Sequence, residues 1–153
     1  MIAAITADEK LTHINSMLSE ISNIYQRLLL VKNVPESVFI VMSSILELGE
    51  GCLQKNIAEK SYISKKTVNS TIKKLQKDAY IELKAGKYPN MHIYLTDKGR
   101  DYVEENITPI IELENNVLKN MNNSEFDSLI VIYQKYIGAF REYVEEFALR
   151  NGS

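Results

Sequence analysis

The sequence predicts a mostly α-helical chain with one small β-hairpin: a winged helix-turn-helix flanked by long dimerisation helices at its N- and C-terminal ends. Three observations carry this expectation. Apolar residues recur at spacings of three and four along two long terminal stretches. In the middle, two short amphipathic helical patterns lead into two alternating segments, "YIELK" and "MHIYL", joined by the Gly- and Pro-containing "AGKYPN". Charge is also uneven: positions 52–100 hold eleven lysines and arginines against four acidic residues, a balance of +7, while the remainder stands at −9. A basic middle between acidic flanks points to a polyanion as partner.

Each element follows from local signals. "TADE" at 6–9 has the capping-box pattern, with Thr6 and Glu9 as its two members. Leu11, Ile14, Leu18, Ile21, Tyr25 and Leu28 then form one apolar stripe on a helix that ends near Asn33, because Pro35 disfavours helical geometry in the residue before it. A second helix starts at Pro35 or Glu36 and stops at Gly49 and Gly51. "LQKNIAEKS" puts Leu53, Ile57 and Ala58 on one face of a third, and Ser64 caps a fourth. After the hairpin, Thr96 caps a long helix in which Pro109 imposes a kink or break near Asn106 to Thr108. A last helix begins at Asn123 or Ser124.

This organisation divides into an N-terminal dimerisation helix at 1–34, a winged module at 35–100 and C-terminal dimerisation helices at 101–153. The last helix repeats apolar residues at near-heptad spacing, through Phe126, Tyr133, Ile137, Phe140, Val144 and Phe147. Together with Leu11, Ile14, Leu18 and Ile21, they exceed what a small core can cover. Packing on the winged module within one chain is the plainer alternative. A large apolar patch closes most simply as a two-fold homodimer.

The bulk numbers exclude much else. At 153 residues, 45% hydrophobic and 25% charged, the chain suits one domain or a small module with helical extensions. No apolar run approaches a membrane span, and "MIAAITADEK" lacks the basic n-region of a signal peptide. A single cysteine, Cys52, fits a reducing compartment, so a cytoplasmic location is expected. No Gly-rich phosphate loop, HExxH or credible Cys/His or Ser/His set is present, so neither an enzyme nor a cofactor is expected. His13 and His92 stand apart without ligand spacing, which argues against a metal. Cys52 has Lys55 but also Glu50 nearby, and reads as a structural thiol rather than a redox sensor.

The stretch "SKKTVNSTIKKLQKD" at 64–78 holds five lysines. At about 100° per residue, Val68, Ile72 and Leu75 share one buried stripe, and Lys66, Ser70, Lys73 and Lys77 lie opposite. A solvated lysine face usually interleaves glutamate; this one interleaves Ser, Thr and Asn, which approach phosphates and base edges closely. As the second helix of a helix-turn-helix it is expected in the major groove of double-stranded DNA. Lys65, Lys66, Thr67, Asn69 and Ser70 are then placed for the groove, with Asn69 the best partner for an adenine edge and the capping Ser64 a further DNA-binding candidate. Lys73 and Lys74 fall nearer phosphates, and Gln54 and Lys55 start the preceding helix where it would grip the backbone. The competing class is a winged helix that binds protein without sequence-specific DNA binding.

Across essentially its whole length the chain resembles the MarR family of bacterial transcriptional regulators. The resemblance is carried by "LQKNIAEKSYISKKTVNSTIKKLQKDAYIE", the hairpin, and "YLTDKGRDY", whose "LT-x-K-G" is the most recognisable signature. It implies a homodimer on a pseudopalindromic operator, often as a repressor, released by a small molecule or by oxidation. It further implies an effector cleft between dimer helices and winged module. Tyr25, Phe39 and Tyr62 are the candidates to line it, although aromatics at helical spacing are more commonly plain core. Two features depart from the family. The wing positions that often carry an inserting arginine fall in "GKYPNMH", with Lys87, Tyr88 and Pro89, so that Lys84 and Lys87 are left to contact phosphates. Ala79 stands where glycine usually follows the recognition helix, and a differently shaped helix end is expected.

Overall fold

The computed structural model describes residues 8–86 and 90–152. Thr6, Lys87, Tyr88 and Pro89 lie outside them. The chain forms two compact units, one running to Ile110 and the other starting at Ile111.

The first unit opens with α1 (Glu9–Lys32) and α2 (Glu36–Leu48), which meet at 92°. Asp8 caps α1: its Oδ1 accepts from the Lys10 amide at 2.7 Å. Aspartate is as good a cap as threonine and stands directly before the first helical residue. At the other end Asn33 takes a left-handed φ of 52°, and the amides of Asn33 and Val34 return to the carbonyls of Leu30 and Leu29. This closure satisfies the last carbonyls before Pro35 sets the new direction. α2 is the central post: Val41, Met42 and Ile45 are fully buried, and Gly49 and Gly51 end it at φ 88° and 87°.

α3 (Gln54–Ser61) and α4 (Lys65–Lys77) pack on α2, and the strands β2 (Ile81–Ala85) and β3 (Met91–Leu95) pack on α4 and α3 in turn. A further strand, β1 (Cys52–Leu53), pairs with β3, so the sheet has three strands in the order β1-β3-β2, all antiparallel. The sequence reading missed β1, because a two-residue strand has no periodicity and exists only through its distant partner. Alternation sorts the sheet as expected: Ile81, Ile93 and Leu95 face the core, and Glu82, Lys84, His92 and Tyr94 face outward. Ile57 from α3 and Val68, Ile72 and Leu75 from α4 complete the core.

After β3 the chain is helical through α5 (Asp97–Tyr102), a π-helical turn (Val103–Ile107) and α6 (Thr108–Leu118). The disturbance expected from Pro109 takes this form. Proline has no amide hydrogen, so the Glu105 carbonyl four residues earlier loses its α-helical donor. Lys32 Nζ replaces that donor at 3.2 Å, while the Thr108 amide reaches back to Val103 in the wider π register. In the second unit, α7 (Asn123–Arg150) begins with a reciprocal capping box between Asn122 and Glu125 and buries none of its residues. No single helix among the described residues is long and apolar enough to cross a membrane.

The end of α4 is fixed with unusual completeness. Ala79 adopts φ 60°, so the left-handed closure is kept with alanine in it, contrary to the sequence expectation. The amides of Tyr80 and Ala79 bond the carbonyls of Leu75 and Gln76, the pairing of a glycine-type helix stop. What holds alanine there comes from across the wing. Thr96 Oγ1 donates to the Ala79 carbonyl at 2.6 Å and accepts from the Gly99 amide at 2.9 Å. Thr96 N donates to the Tyr80 carbonyl, and Lys98 Nζ to that of Asp78 at 2.8 Å. Gly99 lies so close that a Cβ there would stand 1.8 Å from the Tyr80 carbonyl oxygen. The "LT-x-K-G" signature is thus a clasp on the last turn of α4.

Two substitutions test the clasp by urea denaturation. Ala79→Gly relieves the left-handed strain and is expected to stabilise by about 0.5–1 kcal/mol, after allowance for glycine's freer unfolded chain. Gly99→Ala is expected to destabilise by about 2–4 kcal/mol, because backbone on both sides must shift.

Candidate nucleic-acid interface

α4 displays two opposite faces. Val68, Thr71, Ile72 and Leu75 are buried, whereas Lys65, Lys66, Asn69, Ser70, Lys73, Lys74 and Lys77 are exposed. Among the described residues none of the five lysines makes an ion pair. The helix starts where the sequence placed it: Ser64 Oγ accepts from the Thr67 amide at 3.0 Å and shares a 2.8 Å hydrogen bond with the Thr67 hydroxyl. Ser70 Oγ donates to the Thr67 carbonyl at 2.9 Å. The hydroxyls of Ser64, Thr67 and Ser70 are therefore partly occupied within the helix and retain acceptor capacity. The Asn69 amide has no partner among the described residues, so both its donor and its acceptor are open.

The preceding helix adds to the same side. Gln54, Lys55 and Lys65, floored by Ala58 and Val68, line an open cleft of about 290 Å³ between α3 and α4. Lys55 keeps a loose 3.7 Å pair with Glu59, exposed on both sides and of little energetic weight.

The wing is different in kind. Lys84 Nζ lies 2.8 Å from Glu82 and 4.8 Å from the centre of the Tyr94 ring. The hydrogen bond and charge of Glu82 hold the Lys84 ammonium above the usual lysine range. Its charge is neutralised in place, which sets it apart from the α4 lysines. The signal for this was present in the sequence: residues two apart on a strand share a face. His92 Nδ1 donates to the Gly51 carbonyl at 2.6 Å, which fixes the ring across the β1 edge. Arg100 pairs with Glu50, whose Oε1 also accepts from the Leu95 amide. That pair joins positions fifty apart, and no local pattern announces it.

The remaining candidates separate. Leu11, Ile14, Leu18, Ile21, Tyr133, Ile137, Phe140, Val144 and Phe147 are exposed, and Phe126 is half-buried. Tyr25 is exposed, Phe39 half-buried, and Tyr62 is 89% exposed in the turn between α3 and α4. None of these three aromatics lines the cavity of about 330 Å³ that opens between the end of α2 and the π turn. That cavity is walled by Ile45, Leu46, Leu95 and Val103, with Glu50 and Arg100 at its polar side. Cys52 is half-buried in β1, and burial pushes its thiol up, away from thiolate character. No group of three or more His, Cys, Asp or Glu suited to a metal occurs among the described residues.

Solved structures share this architecture. NMB1585, a MarR family regulator from Neisseria meningitidis, is similar with a TM-score of 0.80 at 19% identity, over 91% of this chain and 99% of that one. The PcaV transcriptional regulator from Streptomyces coelicolor, solved in complex with its natural ligand, has a TM-score of 0.67 at 13% identity, over 88% and 99%. A mutant of MepR from S. aureus bound to an oligodeoxyribonucleotide has a TM-score of 0.51 at 14% identity, over 88% and 99%. No family model and no curated protein matches the chain. The fold is the winged-helix fold of the MarR-family transcriptional regulators.

A half-buried thiol with a raised pKa is expected to react slowly. Alkylation of Cys52 by iodoacetamide at pH 8 should run slower in the folded chain than in urea, and equal rates would contradict the burial described.

Proposed function

We propose that the chain is a MarR-type transcriptional regulator that binds duplex DNA through α4. The observation that carries this reading is the exposed α4 face, with five lysines lacking acidic partners among the described residues and a free Asn69 amide among them. Such a face carries an electrostatic cost that phosphates remove, and a donor–acceptor pair that fits a base edge. The wing, with Lys84 already neutralised by Glu82, contributes less to the field.

In this reading two copies associate through the apolar faces of α1 and α7 and bind a pseudopalindromic operator, as a repressor. The exposed apolar residues on both helices support it, since a lone chain gains nothing by displaying them. A small molecule that releases DNA would occupy the cavity between α2 and the π turn rather than a site around Tyr25, Phe39 and Tyr62. Its apolar walls, with Glu50, Arg100, Glu104 and Thr108 as the polar lining, suit a compact, largely apolar ligand with a polar end.

Titration of duplex DNA against salt tests the reading. Log affinity should fall steeply and linearly with log salt, by about 0.9 per phosphate neutralised; absent or salt-insensitive binding would sink it. Asn69→Ala is expected to cost about 1–3 kcal/mol at one base step and relax preference there. Lys73→Ala should weaken all sequences alike and shorten the salt slope by about 1.

A further inference from the structure

We propose that Tyr62 contacts the DNA backbone, its ring against a sugar and its hydroxyl donating to a phosphate oxygen. The proposal rests on the reading that α4 enters duplex DNA. It assigns a role to a helix-turn-helix residue whose backbone strain and exposure the fold does not explain.

Tyr62 closes α3 with a left-handed backbone at φ 56°. Bulky L-residues avoid this region, and Asn or Gly reaches it at lower cost. An aromatic residue held there normally returns the cost through packing. Tyr62 does not: its relative exposure of 89% is the highest of any large hydrophobic residue described. Its hydroxyl has no hydrogen-bond partner among the described residues. The next residue, Ile63, is half-buried and anchors the turn, so the turn has its own apolar contact without Tyr62. Strain with no folding return is a mark of a functional position.

Its surroundings select the occupant. Tyr62 stands two residues before the Ser64 cap of α4, and the unpaired, exposed Lys65 and Lys66 follow at once. A polyanion brought to those lysines passes beside the ring. A tyrosine meets the sugar–phosphate backbone with both of its surfaces, a flat apolar face for the sugar and an O–H for the phosphate. Neither of the two cavities described includes Tyr62.

The test compares the full-length wild type with Tyr62→Asn and Tyr62→Phe, by urea unfolding, by gel filtration and by titration of a duplex chosen for binding to the wild type. Tyr62→Asn should unfold at higher urea yet bind about tenfold more weakly, in line with the loss of a hydrogen bond to a charged group. The salt slope should not change, because no charge is removed. Tyr62→Phe should keep the wild-type unfolding midpoint and lose most of the same affinity. Binding by Tyr62→Asn within twofold of wild type would overturn the proposal. So would a lower urea midpoint, which would show that the ring supports the turn, or a changed oligomeric state, which would place Tyr62 in a protein interface. A wild type that binds no duplex at all defeats the regulator reading itself, and is distinguished by the unaltered protein alone.

Discussion

Three consecutive carbonyls, those of Asp78, Ala79 and Tyr80, tie the end of α4 to the start of α5. Lys98 Nζ, the Thr96 hydroxyl and the Thr96 amide satisfy them in turn, and Gly99 leaves room for the Tyr80 backbone to approach. Each hydrogen bond contributes about 0.5–1.5 kcal/mol net. Their larger effect is geometric. The end of α4, the start of α5 and the outer ends of the two strands between them are set by one cluster, so α4 cannot turn about its axis without breaking it. The buried stripe of Val68, Ile72 and Leu75 fixes the same rotation from inside. The outward direction of Asn69 and the lysines follows from both.

The charges divide the module into a part that is free and a part that is satisfied. On the wing and its flank, Lys84 has Glu82, Arg100 has Glu50, and Lys98 is bonded to backbone while lying 4.7 Å from the Tyr80 ring centre. These cations serve the fold. On α4 the positive charge is left open. Among the described residues of the winged module, the positive charge left without a partner is thus concentrated on one helix face.

Much of this was legible because it is local. Helix stripes, the caps at Ser64 and Thr96, the alternation of the hairpin and the disruption before Pro109 are written in spacings of one to four residues, and the structure has each. The misses were long-range. β1 exists only through its pairing with Ile93 and His92, Glu50 finds Arg100, and Lys32 finds the carbonyl that Pro109 orphans. Ala79 failed for a related reason: intrinsic preference argued against its backbone, and bonds from Thr96, seventeen residues away, override that preference. The Lys84–Glu82 pair was readable from strand alternation. On α4 the exposed face was readable from the helix stripe but the state of each side chain was not, since only the fold shows that Thr67 and Ser70 are partly occupied while Asn69 is free.

The central claim is that this face reads duplex DNA sequence. Selection of bound molecules from random duplex DNA tests it most directly, because it presupposes no operator. The account predicts enrichment of an inverted repeat whose half-sites are centred about 10 base pairs, or a multiple, apart, as two α4 helices in successive major grooves require. A bound pool indistinguishable from the input would contradict it.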